Sequence, residues 1–170
     1  YFPDTIFIGV TGTKGKSTTA SMLNHVLDHS LVAGNLGHAV GNITPAVLIA
    51  ARYVILEVSS FQASYVTQSP DVVAVTSLFD CHIDWHRSPH QYFSDKLNLA
   101  SHGASHIFVS DDAVQIFEQE NTVSGETPVH VVDSNTNSLR LRNEEMVKSI
   151  VGVICPGLDI DEKLSSFEDL

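Results

Sequence analysis

Apolar and β-branched residues crowd into the runs Thr5 to Thr11, Tyr53 to Glu57, Val72 to Ser77, His106 to Ser110 and Val129 to Val132, which read as strands. Several of them are continuously apolar instead of alternating, the pattern of strands covered on both faces, as in a parallel sheet. Between them lie stretches with helical spacing, at Ser17 to Asp28, Ser60 to Val66, Pro89 to Ser101, Asp111 to Glu118 and Asn143 to Ile154. The alternation predicts an α/β fold, a three-layer sandwich with a mostly parallel sheet. The first helix runs almost directly into Leu31-Val32-Ala33-Gly34 with only His29 and Ser30 to turn the chain, and the element boundaries there stay open. Asn121 to Thr127 and Asp133 to Ser138 are polar loops, and the tail from Gly157 carries a short helical pattern.

Length and composition change this picture little. A chain of 170 residues, 43% apolar and 17% charged, fills one core, so a single domain over residues 1–170 is expected. No run of about 18 uninterrupted apolar residues is present and the N-terminus lacks a basic segment before an apolar stretch, which predicts a cytoplasmic protein with no membrane partner. Cys81 and Cys155 form no CxxC pair and read as reduced thiols. Nine basic residues against 20 acidic ones give a formal charge of -11, the wrong sign for a nucleic-acid surface. The scarce lysines therefore stand out where they gather.

They gather in one place. The segment Gly9 to Thr19, GVTGTKGKSTT, follows a strand and opens a helix. A glycine-rich turn between strand and helix points successive backbone N–H groups, and the helix N-terminus, at phosphate oxygens. This predicts a P-loop-type nucleotide site made by Gly12, Thr13, Lys14, Gly15, Lys16, Ser17 and Thr18. Lys16 would reach the terminal phosphates and the Ser17 hydroxyl a Mg²⁺ ion, although Val10 stands where the usual motif has glycine.

Other candidates follow along the chain. Glu57 ends a continuously apolar strand, where a parallel sheet delivers acids to its ligand crevice, and is a natural Mg²⁺ ligand; a carboxylate facing water is the plainer alternative. Asp80, Cys81, His82, Asp84, His86 and His90 crowd behind the strand Val72 to Ser77. In an extended segment His82, Asp84 and His86 share one face as in a transition-metal site, yet the spacing matches no standard zinc pattern, and ordinary surface histidines are the simpler reading. On composition alone Lys96 is a solvated helix lysine.

Together GTKGKST at Gly12 to Thr18, GNLG at Gly34 to Gly37, LEVSSFQ at Leu56 to Gln62, and HIDWH at His82 to His86 followed by YFSDKLN resemble the Mur ligase family. These are ATP-dependent amino-acid ligases of peptidoglycan synthesis, with folylpolyglutamate synthases among their relatives. The LEVSSFQ segment is most similar to the branch that adds D-glutamate to UDP-N-acetylmuramoyl-L-alanine. The HIDWH segment is also close to the diaminopimelate- or lysine-adding branch.

The resemblance implies a central domain that binds ATP and turns a substrate carboxylate into an acyl phosphate, which an amino acid's amine then attacks. It implies that Lys16 and the loop amides hold the phosphates, that Ser17 and Glu57 bind a first Mg²⁺, and that Glu57 with His82 places a second. It makes Lys96 the lysine that CO₂ carbamylates to assist the second metal, Asn35 and Ser59 the contacts to the UDP-sugar-peptide carboxylate, and Asp84 a group orienting the His82 region. It also implies partner domains on either side, one for the UDP-sugar and one closing over ATP. Two readings from other classes remain beside it: a P-loop module that binds ATP without catalysis, and a zinc-stabilised interaction domain on Cys81, His82 and His86.

Overall fold

The apolar runs become six strands: β1 (Ile6–Thr11), β2 (Ser30–Gly34), β3 (Tyr53–Glu57), β4 (Val72–Val75), β5 (His106–Ser110) and β6 (Val129–Val132). The computed structural model describes residues 4–79, 81, 83–120, 123, 126–133 and 136–168. All strand pairings are parallel, in the order β2-β3-β1-β4-β5-β6. The helices are α1 (Lys16–Val26), α2 (Pro45–Ala50), α3 (Ser60–Ala63), α4 (Ile83–His86), α5 (Pro89–Leu97), α6 (Val114–Glu120), α7 (Leu139–Ile154) and α8 (Asp161–Ser165).

Alternation along each strand divides the core in two. Ile8, Val10, Tyr53, Ile55, Val72, Ala74 and Phe108 face a layer from α1, α7 and α8, including Met22, Leu23, Met146, Ile150 and Leu164. Val73, Val75, Ile107 and Val109 face the opposite layer, with Ala63, Tyr92, Phe93, Leu97 and Phe117 from α3, α5 and α6. With both faces covered, the central strands β1, β3 and β4 need apolar residues on both sides, which is why their sequences run almost without polar interruption. The expected three-layer sandwich is present.

Several boundaries move for local reasons. The unassigned run Leu31 to Gly34 is strand β2, paired in register with β3 from Ser30↔Tyr53 to Gly34↔Glu57. The chain turns into it through His29 in the left-handed region, at φ 57°, and the Ser30 hydroxyl donates to the Leu27 carbonyl at 2.7 Å. Helix α7 begins at Leu139, ahead of Asn143, because Ser138 caps it by accepting from the Leu141 amide. Ser88 caps α5 through the Gln91 amide with Pro89 in the first turn, and that helix ends at Leu97, passing into a short 3₁₀ turn, Asn98–Ala100. The strand at Val72 closes at Val75 instead of Ser77, and α6 starts at Val114 instead of Asp111. None of the described helices is long and apolar enough to cross a membrane.

Candidate functional site

The site forms where the sheet's topology reverses. β1 lies between β3 and β4, so the chain leaves β1 toward one edge and returns on its other side, opening a crevice at the carboxyl ends of these strands. The glycine loop leaves β1 directly into this crevice, and β3 delivers Glu57 beside it, since Val10 and Glu57 are register partners.

The loop is held by the segment just after β4. The Thr13 amide donates to the Ser77 carbonyl at 2.9 Å and the Lys14 amide to the Ser77 hydroxyl at 2.8 Å. The Thr76 hydroxyl donates to the Lys14 carbonyl at 2.6 Å. Gly12 sits at φ 141°, and a Cβ there would lie 2.2 Å from Thr76 Oγ1 and 3.0 Å from the Ser77 nitrogen. Gly12→Ala is therefore expected to cost about 2 kcal/mol of stability and to weaken ATP binding together with it. Chemical denaturation and ATP titration of the same sample check both effects.

With the amides of Thr13 and Lys14 spent on Ser77, the donors left to face a ligand belong to the start of α1. Gly15, its N-cap at φ 88°, supplies no side-chain cap, so the first-turn amides of Lys16, Ser17 and Thr18 lack the partner that a Ser or Asp cap would give. That uncapped N-terminus is an anion cradle. Asn143 of α7, which sequence reasoning missed, supports it from behind: its Oδ1 accepts from Thr19 Oγ1 at 3.2 Å and is the atom a Cβ on Gly15 would strike, at 2.6 Å.

Around the cradle stand the charged groups. Lys16 Nζ donates to the Thr13 carbonyl at 3.2 Å, and burial holds its pKa below the usual lysine value against the pull of Glu57 and Cys81. Glu57 is 2% exposed. Its Oε1 accepts from Asn35 Nδ2 at 3.1 Å, while its buried Oε2 has no hydrogen-bond partner among the described residues. A buried carboxylate oxygen without a partner is costly unless a cation or water meets it, so the site has the hard oxygen donor a divalent ion needs. Ser17 is exposed at the helix start, one position past Lys16.

Lys96 is also 2% exposed, which corrects its composition-based reading as a solvated lysine. Its Nζ donates to the Gly12 carbonyl at 2.8 Å and lies 4.6 Å from the centre of the Tyr92 ring. Burial, and then the charge of Lys16, lower its pKa to about 7, with Cys81 pulling the other way. Tyr92, missed in the sequence, reaches Thr13 Oγ1 at 3.3 Å, and burial raises its pKa.

One cavity of about 240 Å³ gathers Thr13, Lys16, Asn35, Ser59, Tyr92 and Lys96, with Ser60 and Phe61 completing its wall. The structure thus brings Lys16, Lys96, Asn35 and Ser59 to one place. Of the two Gly-Asn pairs, Gly34-Asn35 is the one at the site; Asn42 is exposed in the 3₁₀ turn Val40–Asn42. Ser59 caps α3 in a reciprocal capping box with Gln62.

Asp80, His82 and the side chain of Asp84 lie outside the described residues. The next residues, Ile83–His86, are helical in α4 and not extended. His86 is buried and turned away toward Ser60 and Asp95, and among the described residues no group of His, Cys, Asp and Glu is placed to form a metal cluster. Both cysteines are free thiols.

Comparison with known proteins gives a family and a likeness of fold. A family profile described as "Mur ligase middle domain" matches residues 10–154. A UDP-N-acetylmuramoyl-L-alanine–L-glutamate ligase from Salinispora tropica is 42% identical over 107 residues, covering 61% of this chain and 23% of that protein. A UDP-N-acetylmuramoylalanine–D-glutamate ligase from Prochlorococcus marinus is 33% identical over 118 residues, covering 64% of this chain and 25% of that protein. The chain thus spans about a quarter of the length of the curated relatives it matches. The crystal structure of the MurF ligase from Thermotoga maritima in complex with ADP superposes with a TM-score of 0.69 at 15% identity, over 98% of this chain and 49% of that one, a likeness of fold.

Proposed function

The chain belongs to the Mur ligase family, matching its middle domain along residues 10–154, and from that premise we propose that it is the ATP- and Mg²⁺-binding domain of a ligase. That ligase joins glutamate to UDP-N-acetylmuramoyl-L-alanine in peptidoglycan synthesis. The observation that carries the proposal is the convergence of an uncapped helix N-terminus, Lys16, the unpartnered Glu57 oxygen and Lys96 on one crevice. The D-glutamate expected from LEVSSFQ meets relatives named for both enantiomers, so glutamate is the proposed amino acid and assays with each enantiomer decide its hand.

In this scheme Lys16 and the amides of Gly15 to Thr18 bind the terminal phosphates. Asn35 and Ser59 hold the substrate carboxylate in the same cavity, so that one carboxylate oxygen attacks the γ-phosphorus as the bond to ADP breaks. The glutamate amine then attacks the acyl carbon, forming the amide and releasing phosphate. Ser17 and Glu57 would hold one Mg²⁺ and Glu57 with His82 a second; bound there, the ions neutralise charge developing on the phosphoryl oxygens. Lys16 supplies the same neutralisation from the protein side.

Glu57→Gln tests the metal role. It is expected to lower affinity for Mg²⁺-ATP about tenfold while leaving affinity for ATP in EDTA unchanged and the unfolding temperature no lower, because a buried charge is removed. Calorimetric titrations with and without Mg²⁺ check this, and equal losses under both conditions contradict a metal contact at Glu57. The proposal as a whole is tested by titrating the unsubstituted chain with Mg²⁺-ATP, where absent binding overturns it.

A further inference from the structure

Behind the cavity wall lies a chain of hydrogen bonds that the scheme above leaves unused. Ser60 Oγ and His86 Nε2 are 2.9 Å apart, and His86 Nδ1 and Asp95 Oδ2 are 2.6 Å apart. Asp95 Oδ1 accepts from Gln91 Nε2 at 2.8 Å. Ser60 and His86 are each 2% exposed. The imidazole packs among Phe61, stacked at 5.2 Å between ring centres, Trp85 at 4.5 Å and Tyr92 at 5.1 Å. No two of Ser60, His86 and Asp95 share a helix: α3, α4 and α5 each contribute one.

This arrangement has a direction. A carboxylate only accepts, so His86 Nδ1 must carry the proton that faces Asp95, since a lone pair opposed to a carboxylate oxygen at that distance is repulsive. In the neutral ring Nε2 is then an acceptor, and the Ser60 hydroxyl is obliged to donate its single hydrogen inward. Only lone pairs of Ser60 Oγ remain for the cavity it lines. On the same wall the Lys16 ammonium supplies the donor suited to anionic oxygens.

We propose that Ser60, polarised by His86 and Asp95, is the acceptor for an N–H of the attacking amino group, fixing the amine so that its lone pair faces the acyl carbon. This rests on the ligase reading above and deepens it by assigning the amine's place. A hydroxyl free to rotate offers a donor or an acceptor equally; one locked from behind offers an acceptor only and rejects a carboxylate or carbonyl oxygen. Ser60 is then the residue in contact with the reacting amine, while His86 and Asp95 are positioning residues that act through it.

Two measurements test this. In the chain labelled with ¹⁵N-histidine at pH 7.5, long-range proton–nitrogen correlation is expected to show His86 protonated at Nδ1 and bare at Nε2; a proton on Nε2 overturns the proposal. In a ligase of the relatives' full length containing this chain, Ser60→Ala is expected to raise KM for glutamate about tenfold, the worth of one hydrogen bond. KM for ATP is expected to stay within about twofold. His86→Phe, which keeps the ring packing and frees the hydroxyl to turn, is expected to move KM for glutamate the same way. Unchanged KM for glutamate in both variants overturns the proposal, as does an equal rise in every substrate's KM, the mark of a structural role. Failure of the ligase reading shows differently, as absent Mg²⁺-ATP binding by the unsubstituted chain.

Discussion

Lys16→Ala is expected to lower the affinity of this chain for ATP at least about a hundredfold, the loss of two charge-assisted hydrogen bonds to phosphate. Lys16 is half-buried in the crevice, its Nζ anchored on the Thr13 carbonyl beside the uncapped start of α1. A cation held there is already partly stripped of water, as its lowered pKa records, so a phosphate oxygen replaces little solvent when it arrives. The same desolvation separates binding from folding. Removing a charge that burial disfavours is expected to leave the unfolding temperature unchanged or slightly raised, so weak ATP binding with intact folding marks a lost ligand contact. Calorimetry paired with thermal unfolding checks it, and an affinity within about threefold of the unsubstituted chain contradicts the phosphate role.

The second large effect belongs to Lys96. In a full-length ligase containing this chain, Lys96→Met is expected to reduce turnover at least about a hundredfold, with partial recovery in millimolar acetate or formate if a carboxylate borne by the side chain is what is missing. Carbamylation requires a neutral amine, whose nitrogen bonds to the carbon of CO₂ while a proton leaves to water. A pKa of about 7, set by burial and by Lys16, makes that form available near neutrality, which an ordinary lysine does not. The carbamate signal from ¹³C-bicarbonate is thus expected to grow as pH rises through 7 and to vanish in Lys96→Met.

Stability carries the same signature. Between about 7 and the ordinary value of 10.5 the unfolded chain binds a proton at Lys96 that the folded chain does not. With more protons on the unfolded side, stability from this group rises with pH across that window. Lys96→Met removes that rise and is expected to be the more stable protein below pH 7, where the native lysine must be buried charged. An unfolding temperature whose pH dependence is identical in the two proteins contradicts the buried, depressed amine.

Lys96 also shows where a sequence stops being legible. Its burial depends on α5 packing Tyr92 against Thr13 and turning the next helical turn onto the Gly12 carbonyl, a contact across 84 positions of chain. Composition sees only an amphiphilic helix, and the family resemblance alone marked the residue. The parallel sheet was legible because strands such as Tyr53–Glu57 must be apolar on both faces. Strand β2 was not, because a half-buried edge strand following a helix after a three-residue turn carries no periodicity of its own. The glycine loop announced itself through its glycines and lysines, but its support did not: Thr76, Ser77 and Asn143 are ordinary polar residues whose value lies in distant partners. His86 was hidden most completely. Among neighbouring histidines it looked like surface, and only the meeting of α3, α4 and α5 reveals the line from Asp95 to Ser60.

The most direct test is the structure of this chain with Mg²⁺ and a non-hydrolysable ATP analogue. The expected result places the γ-phosphate within about 3 Å of Lys16 Nζ and on the amides of the first turn of α1, with the metal on Ser17 Oγ and the now satisfied Glu57 Oε2. A triphosphate bound elsewhere, with that Glu57 oxygen still unpartnered and no metal beside it, contradicts the nucleotide site on which the proposed ligase depends.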